Sequence, residues 1–394
     1  MELAEMGARA LVFRGFDVTV VEMADQVLTP LDPEYGRLVG DFLELHGVHV
    51  ALGDGVAGFE HSEDDTLTVS TQSGKRYPAD VVILALGVRP DTILAQMAGV
   101  EVGELGGIRV DEHMRTSDPD IFAVGDAVEV KDFVTGEWSL IALAGPANRQ
   151  ARIAAEVIVG RDSRFRGTQG TAVVGLFGST VAWTGANEKT LERLGDSDFE
   201  KVYLYPNSHA GYYPGAKPIA MKLLFRKSAG HVLGAQAVGE DGVDKRISGL
   251  ALAIQLGATV YDLEECELCY APPFGSAKDP INFAGTVGAG VLRGDMPVTH
   301  WNFAEDRFLL DVRETVEQAV ERVPEAVNIP LGELRARLDE LPRDREIGVI
   351  CRSGQRAYYA TRILLQAGFD AKVLSGGMLS HAILAPPPRP AIPA

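Results

Sequence analysis

The sequence lacks any apolar run long enough to cross a lipid bilayer, and it has few cysteines. A membrane-spanning helix needs about 20 consecutive apolar residues, and no stretch of the 394-residue chain approaches that length. The three cysteines are sparse and odd in number, which predicts a reducing compartment, the cytoplasm, and not a disulfide-bonded secreted fold. The first residues contain no basic region followed by an apolar stretch, so no signal peptide is expected.

Positive charge is also scarce. The chain has 37 lysines and arginines against 55 aspartates and glutamates, which gives a formal net charge of -18. Nucleic acids and anionic membranes would repel such a chain, so neither is expected as a partner. The length and the 46% hydrophobic content predict several buried cores in roughly two to four domains.

The most informative feature that is present is the run TSDPDIFAVGD at residues 116–126. Residues 121–124 are apolar and β-prone, which predicts a short buried strand that ends at Gly125 and Asp126. Gly125 lets the backbone approach a ligand closely, and the Asp126 carboxylate offers two acceptors to sugar or ribityl hydroxyls. In open α/β sheets, ligands lie at the carboxyl ends of strands. Taken alone, the same residues also fit an ordinary Gly-Asp turn.

A second informative feature is the run CRSGQR at residues 351–356. It follows a predicted strand at 346–350 and precedes a predicted helix at 357–367. A cysteine at such a loop faces backbone N–H groups and the positive end of the helix, with Arg352 and Arg356 nearby. These conditions lower a thiol pKa and hold anionic sulfur. Cys351 is therefore predicted to be a persulfide-forming nucleophile, and an inert buried cysteine is the alternative.

Both runs resemble known families. Residues 116–126 resemble the second flavin signature of the FAD-dependent pyridine nucleotide-disulfide reductases, and residues 351–356 resemble the active-site loop of rhodanese-type sulfurtransferases. The rhodanese resemblance is supported by DVR at 311–313 and LSGG at 374–377, whereas RVPEA at 322–326 departs from the usual His-hydrophobic-Pro-Gly-Ala. Over residues 1 to about 380, the chain resembles a coenzyme A-disulfide reductase fused to a rhodanese domain.

The resemblance implies an α/β fold. It consists of a partial reductase fold with two dinucleotide-binding domains, for FAD and NAD, an α+β dimerisation domain and an α/β rhodanese domain. The expected domains are a partial NAD(P)H-binding domain at 1–88, the C-terminal part of a FAD-binding domain at 89–165, a dimerisation domain at 166–292, a rhodanese domain at 297–385 and a disordered tail at 386–394. The apolar run at 80–86 predicts a fully buried parallel strand.

The implied cofactors are FAD and NAD(P)H. The resemblance gives Asp126, beside Gly125, the role of holding the ribityl chain of FAD. Ala144 and Gly145 precede a predicted helix at 149–159, and the resemblance places the pyrimidine edge of the flavin ring there; an ordinary helix cap is the alternative.

Two further residues are expected to bind cofactor at strand ends. Glu22 ends a predicted strand at 17–22, where an acid accepts from a ribose 2′-hydroxyl and favours NADH, because it repels a 2′-phosphate. Gly87 marks the point at which the family chain leaves the NAD domain. A solvated strand end is the alternative for Glu22.

The resemblance also implies a homodimer whose loops reach the partner's active site. The matching segments are HAGYYPG at 209–215 and YAPPF at 270–274. Tyr212, in preference to Tyr213, and Tyr270 are the catalytic candidates, because a phenolic O–H can donate to a leaving thiolate. Phe274 is expected to contact the cofactor. Ordinary aromatic packing is the alternative for these residues.

Some family features are missing from the start of the chain. No strand-turn-helix with Gly-x-Gly-x-x-Gly opens it, so an N-terminally truncated member is expected, with the reductase's own redox cysteine in the lost part. Cys266 and Cys269 have the spacing of a redox or zinc pair, but two further zinc ligands are lacking. Burial in the dimerisation domain is expected for this pair.

The implied function is an FAD-dependent NAD(P)H oxidoreductase acting on coenzyme A disulfide or persulfide, with Cys351 handling sulfane sulfur. The first rival function is a sulfurtransferase alone, carried on a non-catalytic dimer scaffold derived from a flavoprotein. The sequence also fits a non-catalytic dimer module, or a reductase whose missing part is supplied by a separate chain.

Overall fold

The computed structural model describes residues 2–61, 67–301 and 307–385. The α-helices are α1 Glu2–Val12, α2 Pro33–Leu45, α3 Ile93–Met97, α4 Ala144–Ile158, α5 Glu188–Arg193, α6 Val243–Gln255, α7 Val260–Glu265, α8 Pro280–Leu292, α9 Thr315–Val320, α10 Gln355–Gln366 and α11 Gly377–Leu384. Short 3₁₀ helices lie at Gly125–Ala127, Leu334–Ala336 and Leu338–Glu340. None of the described helices is both long and apolar enough to span a membrane.

The strands of the described residues are short. They are β1 Val18–Val21, β2 Val48–Ala51, β3 Val56–His61, β4 Leu67–Thr71, β5 Arg76–Ala79, β6 Ile108–Arg109, β7 Val128–Lys131, β8 Trp138–Ser139, β9 Ala172–Leu176, β10 Ser179–Gly185, β11 Phe199–Leu204, β12 Ile219–Arg226, β13 Val232–Gly239, β14 Val298–Thr299, β15 Phe308–Asp311, β16 Val327–Asn328, β17 Ile347–Ile350 and β18 Ala371–Leu374.

Two compact units divide the chain. The first contains the described residues within Met1–Leu31, Val39–Gly178 and Ala182–Gly195. The second contains those within Asp32–Leu38, Ser179–Val181 and Asp196–Ala394.

The first unit contains three small sheets. Strands β1 and β2 pair in parallel, β3, β4 and β5 form an antiparallel meander, and β7 lies between parallel β6 and antiparallel β8. One apolar core of this unit packs one face of α4 against β7, and it includes Val128, Val130, Ile153 and Val157. This packing holds the second half of α4 against β7.

The second unit contains two larger sheet regions. Strands β11, β12 and β13 are antiparallel neighbours. They are followed by α6, whose buried Val243, Ile247, Leu250 and Ile254 recur at helical spacing and so form one apolar face. A run of strands followed by a run of helices is the α+β arrangement predicted for the dimerisation domain.

The last part of the second unit is a parallel sheet. Its strand order is β14-β18-β17-β15-β16, and every pairing is parallel. Leu310, Val349 and Val373 on its central strands are fully buried together with Ala357 and Leu364 of α10. A parallel sheet buried by helices is the α/β arrangement predicted for the rhodanese domain.

Two predicted buried strands are wrong. Residues 81–92 contain neither helix nor strand, and Val81, Ile83, Leu84 and Leu86 are between 59% and 84% exposed. Residues 121–124 form only an isolated bridge, at Phe122. A strand is stable only when a neighbour takes its backbone hydrogen bonds, and neither segment belongs to a sheet in the described part of the chain. The tail expected to be disordered, 386–394, lies outside the described residues.

Candidate functional site

Gly125 and Asp126 lie together at the start of a one-turn helix in the first unit. Gly125 has φ +82°, a backbone conformation that favours glycine. Its N–H donates to Oε1 of Gln150 in α4 at 2.7 Å, and a Cβ at this position would lie 3.9 Å from the Cβ of Ala147. The Asp126 side chain is exposed. An open carboxylate is thus anchored beside the first turns of α4.

The start of α4 is also open. Ala144 and Gly145 are its first two residues and both are exposed, while Leu143 before them provides no side-chain cap. The first N–H groups of a helix have no acceptor within the helix, so those of Ala144 and Gly145 can donate to a ligand. A carboxylate and free N–H donors near one another can bind a polyhydroxylated molecule with an electron-rich edge.

The other two residues of the first unit that are predicted to bind cofactor are Glu22, at the end of a strand, and Gly87, in an irregular segment. Glu22 directly follows β1, is half-buried, and accepts through Oε1 from the N–H of Ala24 at 2.8 Å. Its own N–H donates to the carbonyl of Ala51 at 2.8 Å. Gly87 has φ +80° and is exposed within the irregular segment 81–92.

A glycine pattern that was not singled out from the sequence occurs at residues 53–58, GDGVAG. It has the spacing Gly-x-Gly-x-x-Gly, but it connects β2 to β3 and no helix follows it. A pyrophosphate cradle needs the N–H groups of a helix start, so this segment lacks the element that binds phosphate.

In the second unit, the two predicted tyrosines meet. The hydroxyls of Tyr212 and Tyr270 lie 2.6 Å apart, and both side chains are exposed. This hydrogen bond raises the pKa of Tyr270 above its usual range. Tyr213 instead packs its ring edge against His209, with ring centroids 5.9 Å apart. Tyr212, and not Tyr213, is therefore the tyrosine of this segment that contacts Tyr270, and its catalytic role stays a prediction.

A buried arginine that sequence reasoning missed ties the two tyrosine-bearing segments together. Arg246 donates through its NH2 group to Oδ2 of Asp279 and to the carbonyl of Ser208, both at 2.8 Å. The N–H of Ala210 also donates to the carbonyl of Gly275 at 2.8 Å. The available signal was Asp279 before Pro280, a typical helix start, and Asp279 does cap α8.

Phe274 lies on the same loop and is 71% exposed. Its carbonyl accepts from Nζ of Lys245 at 2.5 Å, so the backbone is held while the ring stays open. With the two tyrosines it forms an exposed aromatic patch, Tyr212, Tyr270 and Phe274.

Cys351 directly follows β17 and is buried. The N–H of Gly354 donates to its Sγ at 3.1 Å, and Gly354 takes φ +105° to begin α10. Gly377 closes the other side: a Cβ there would lie 2.2 Å from the Cys351 carbonyl oxygen. The loop therefore presents a backbone donor to the sulfur, as predicted for an anionic persulfide.

The two arginines predicted to lie near Cys351 differ in their exposure and in their partners. Arg352 is exposed, whereas Arg356 donates through both terminal nitrogens to the two carboxylate oxygens of Glu317, at 2.5 and 2.8 Å. The Arg356 hydrogen bonds lower the pKa of Glu317 to about 2. Upstream, Asp311 and Arg313 form a buried ion pair at 2.7 Å. Glu317 was not predicted as part of the site.

Cys266 and Cys269 differ from expectation. Cys266 is half-buried, and burial raises the pKa of its thiol. Cys269 is exposed, so the predicted burial of the pair is wrong for this residue. The chain from 266 to 271 follows α7 without a turn or bend, which does not bring two cysteines three positions apart into disulfide geometry.

A cavity of about 380 Å³ lies within the first unit, between Trp138, Leu143 and Trp183. None of the sequence-predicted site residues lines it. It adjoins Leu143, the residue before α4, and both polar and apolar side chains line it.

Three family models match the chain in succession. Residues 1–151 match pyridine nucleotide-disulphide oxidoreductase, residues 171–279 match the dimerisation domain of the same family, and residues 299–381 match the rhodanese-like domain. The order of the three matches is that predicted from the motifs.

Two solved structures are similar over nearly the whole chain. Reduced CoADR-RHD of Bacillus anthracis has 43% identity and a TM-score of 0.92, covering 97% of this chain and 69% of its own. The NAD-dependent persulfide reductase of A. fulgidus has 40% identity and a TM-score of 0.86, covering 95% of this chain and 69% of its own.

Curated relatives match over a shorter range. An NADH oxidase of Methanocaldococcus jannaschii is 38% identical over 283 residues, and a coenzyme A disulfide reductase of Staphylococcus haemolyticus is 31% identical over 276 residues. Each match covers 70% of this chain, and the chain spans about three fifths, 61%, of each relative's length.

The fold and the matches define a chain that joins part of a pyridine nucleotide-disulphide oxidoreductase, with its dimerisation domain, to a rhodanese-like domain. The chain belongs to the pyridine nucleotide-disulphide oxidoreductase family, with a dimerisation domain and a C-terminal rhodanese-like domain. The family depends on FAD and uses NAD(P)H.

Proposed function

We propose that this chain acts as an NAD(P)H oxidoreductase on coenzyme A disulfide or persulfide, coupled to a rhodanese-type sulfurtransferase. The observation that carries the sulfur chemistry is Cys351, seated between the Gly354 N–H and the Gly377 backbone at a strand-to-helix loop. The names of similar proteins, coenzyme A disulfide reductase and persulfide reductase, support this substrate class.

The residues present fit one end of a flavin. The exposed Asp126 carboxylate beside Gly125 suits ribityl hydroxyls, and the free N–H groups of Ala144 and Gly145 suit the electron-rich ring edge. We assign the Glu22 carboxylate to the ribose hydroxyls of NADH. We assign Gly87 and Phe274 to further cofactor contacts. When bound, the flavin supplies two-electron transfer between NADH and sulfur.

In the sulfur-transfer half, we assign four roles. The Cys351 thiolate attacks sulfane sulfur, the Gly354 N–H stabilises charge on Sγ, and Arg352 attracts the anionic donor. Arg356 sets the loop electrostatics through its pair with Glu317. In the reductase half, the hydrogen-bonded hydroxyls of Tyr212 and Tyr270 supply a proton to a leaving thiolate. We also propose a homodimer, supported by the dimerisation-domain match, in the cytoplasm, supported by three free thiols.

The test measures both halves in one preparation. With FAD, NADH and coenzyme A disulfide, we expect NADH oxidation that stops when either FAD or the disulfide is omitted. With thiosulfate and cyanide, we expect thiocyanate from the wild type and only the uncatalysed rate from Cys351→Ser. Cys269→Ser, which removes an exposed thiol outside the loop, is the matched control and keeps full transfer. Sulfur transfer retained by Cys351→Ser contradicts the nucleophile assignment.

A sulfurtransferase alone is the second candidate. It is favoured by the glycine pattern at 53–58, which no helix follows, and by the positions of the three cysteines, none of which lies in the first unit. Sulfur transfer that persists while added FAD and NADH produce no NADH oxidation selects this function over the coupled one.

A further inference from the structure

The positive charges around Cys351 are unequally available. Arg313 is held by Asp311, whose strand β15 pairs with β17 so that Asp311 lies beside Ile350. Arg356 is held by Glu317. The exposed Arg352 guanidinium forms no ion pair with any residue in the described part of the chain. The loop thus contains two arginines but only one unpaired cation.

Glu317 forms a bidentate ion pair with Arg356. Both of its carboxylate oxygens accept from the two terminal nitrogens of Arg356, the strongest arrangement available to this pair. The N–H of Glu314 also donates to Oε2 of Glu317 at 3.1 Å, which fixes the carboxylate at the start of α9. Both side chains are about 30% exposed, at 29% and 32%, so the pair is partly open to solvent.

Arg356 lies in the first turn of α10, two residues after Gly354, whose N–H donates to the Cys351 Sγ. The pKa of its guanidinium is raised mainly by the hydrogen bonds that it donates to Glu317 and, to a smaller extent, by the charge of Cys351. Since the pKa of Glu317 is lowered to about 2, its carboxylate is ionised at every pH near neutrality. The positive charge of Arg356 is therefore largely cancelled at the place where it would act on sulfur.

We propose that Glu317 is a specificity-determining residue of the sulfur-transfer loop. By neutralising Arg356, it leaves Arg352 as the single available cation and directs Cys351 toward persulfides, which release a monoanionic thiolate, and away from thiosulfate, which releases dianionic sulfite. The inference rests on the proposed sulfurtransferase function and names the substrate class of that same loop.

The reaction is the same with either donor. The Cys351 thiolate attacks the sulfane sulfur, a new S–S bond forms, and the old S–S bond breaks. The leaving sulfite or thiolate takes the bonding electron pair, and Cys351 keeps the sulfur as a persulfide, so no outside oxidant or reductant is needed. Coulomb energy scales with the product of the charges, so an added cation stabilises departure of a dianion more than departure of a monoanion.

The test compares two donors on the same loop. Thiosulfate and cysteine persulfide are each mixed with the full chain, and the mass gain of one sulfur on Cys351 is followed by rapid quenching and intact mass spectrometry. Varying donor concentration separates donor affinity from the maximal rate. We expect Glu317→Gln to raise the second-order rate constant for thiosulfate about fivefold, the effect of one released charge-assisted contact. The rate constant for cysteine persulfide should change less than about twofold.

Two further variants isolate the pair. Glu325→Gln, which removes an equal charge from an exposed side chain of the same rhodanese-like part, should leave the ratio of the two rate constants unchanged. The double variant Glu317→Gln with Arg356→Gln should lose the gain with thiosulfate. Arg356→Gln alone leaves the Glu317 carboxylate without its counter-charge, so the rate constant for thiosulfate should fall more than that for cysteine persulfide.

The outcomes separate the inference from the function on which it rests. If the wild type gains sulfur on Cys351 but Glu317→Gln keeps the wild-type ratio, the specificity role is wrong and the sulfurtransferase stands. Equal losses with the two donors in Arg356→Gln also overturn it, and this comparison needs no folded Glu317 variant. If no sulfur reaches Cys351 from either donor in the wild type, the proposed function fails first.

Discussion

At the scale of single residues, Lys222 is a charged side chain that is fully buried. Its ammonium lies 2.9 Å from Asp32, itself fully buried, and 2.6 Å from Glu34. Glu34 also accepts from the Tyr203 hydroxyl at 2.8 Å, and Gln236 donates to Asp32 at 2.7 Å. A buried charge is tolerated only when it is paired and hydrogen-bonded, and each member of this cluster in the second unit satisfies another.

We therefore expect Lys222→Met to be strongly destabilising. It removes the cation and leaves two buried carboxylates facing each other, which costs about 3–5 kcal/mol of unfolding free energy. Lys217→Met is the matched control, since its ion pair with Glu240 is about half exposed and is worth at most about 1 kcal/mol. Denaturant unfolding of the two variants measures the difference. Equal losses in both would show that burial does not set the value of the Lys222 pair.

Contacts between residues were predictable where the signal is contiguous in sequence. Cys351 and Gly354 lie within one six-residue run, so the loop geometry follows from local sequence. Glu317 is 39 positions from Arg356, and nothing in the local sequence indicates that the two meet. A long-range ion pair is decided by which strands and helices pack together, which a single sequence does not show.

At the scale of secondary structure, prediction succeeded where an element is held by its own hydrogen bonds or by a close neighbour. Helix α10 begins two residues before and ends one residue before its predicted bounds, 357–367, because helical periodicity is a local property. The apolar run at 80–86 has an equally clear composition but forms no strand. A strand depends on backbone partners that lie elsewhere in the chain, and composition alone does not supply them.

The start of α4 gives a prediction at this scale. Because Asp126 is anchored beside α4 through the Gly125–Gln150 hydrogen bond, we expect Asp126→Ala to weaken FAD binding about tenfold, through lost acceptors for ribityl hydroxyls. Titration of flavin fluorescence with the purified protein measures the affinity without requiring turnover.

The control is Asp120→Ala. Asp120 is an exposed carboxylate in the same run, so the variant changes the net charge equally without altering the segment beside α4. An affinity for FAD that falls equally in both variants would mean that charge, and not the placement of Asp126, governs binding.

At the scale of the whole molecule, the chain combines three family domains whose order was readable from widely spaced motifs. The overall charge of -18 gives each copy a strong repulsion for another at long range. Association of two copies therefore needs a compensating apolar surface. The second unit has one in the loops that match the dimerisation domain, where Tyr212, Tyr270 and Phe274 are exposed.

We accordingly expect the full chain to sediment as a dimer and Phe274→Asp to weaken that dimer. Burying a phenylalanine ring is worth about 1.5–3 kcal/mol, so placing a charge there should raise the dimer dissociation constant at least about tenfold. Val320→Asp is the matched control, because Val320 is equally open, at 89% exposure, but lies on α9 in the rhodanese-like part. Raising the salt concentration should tighten the wild-type dimer, since it screens the repulsion between two copies that each carry -18. Sedimentation over a range of protein and salt concentrations measures both effects. If Val320→Asp weakens the dimer as much as Phe274→Asp does, the contact between the two copies lies outside the dimerisation domain. If added salt weakens the dimer, ion pairs hold the two copies together and apolar contact does not.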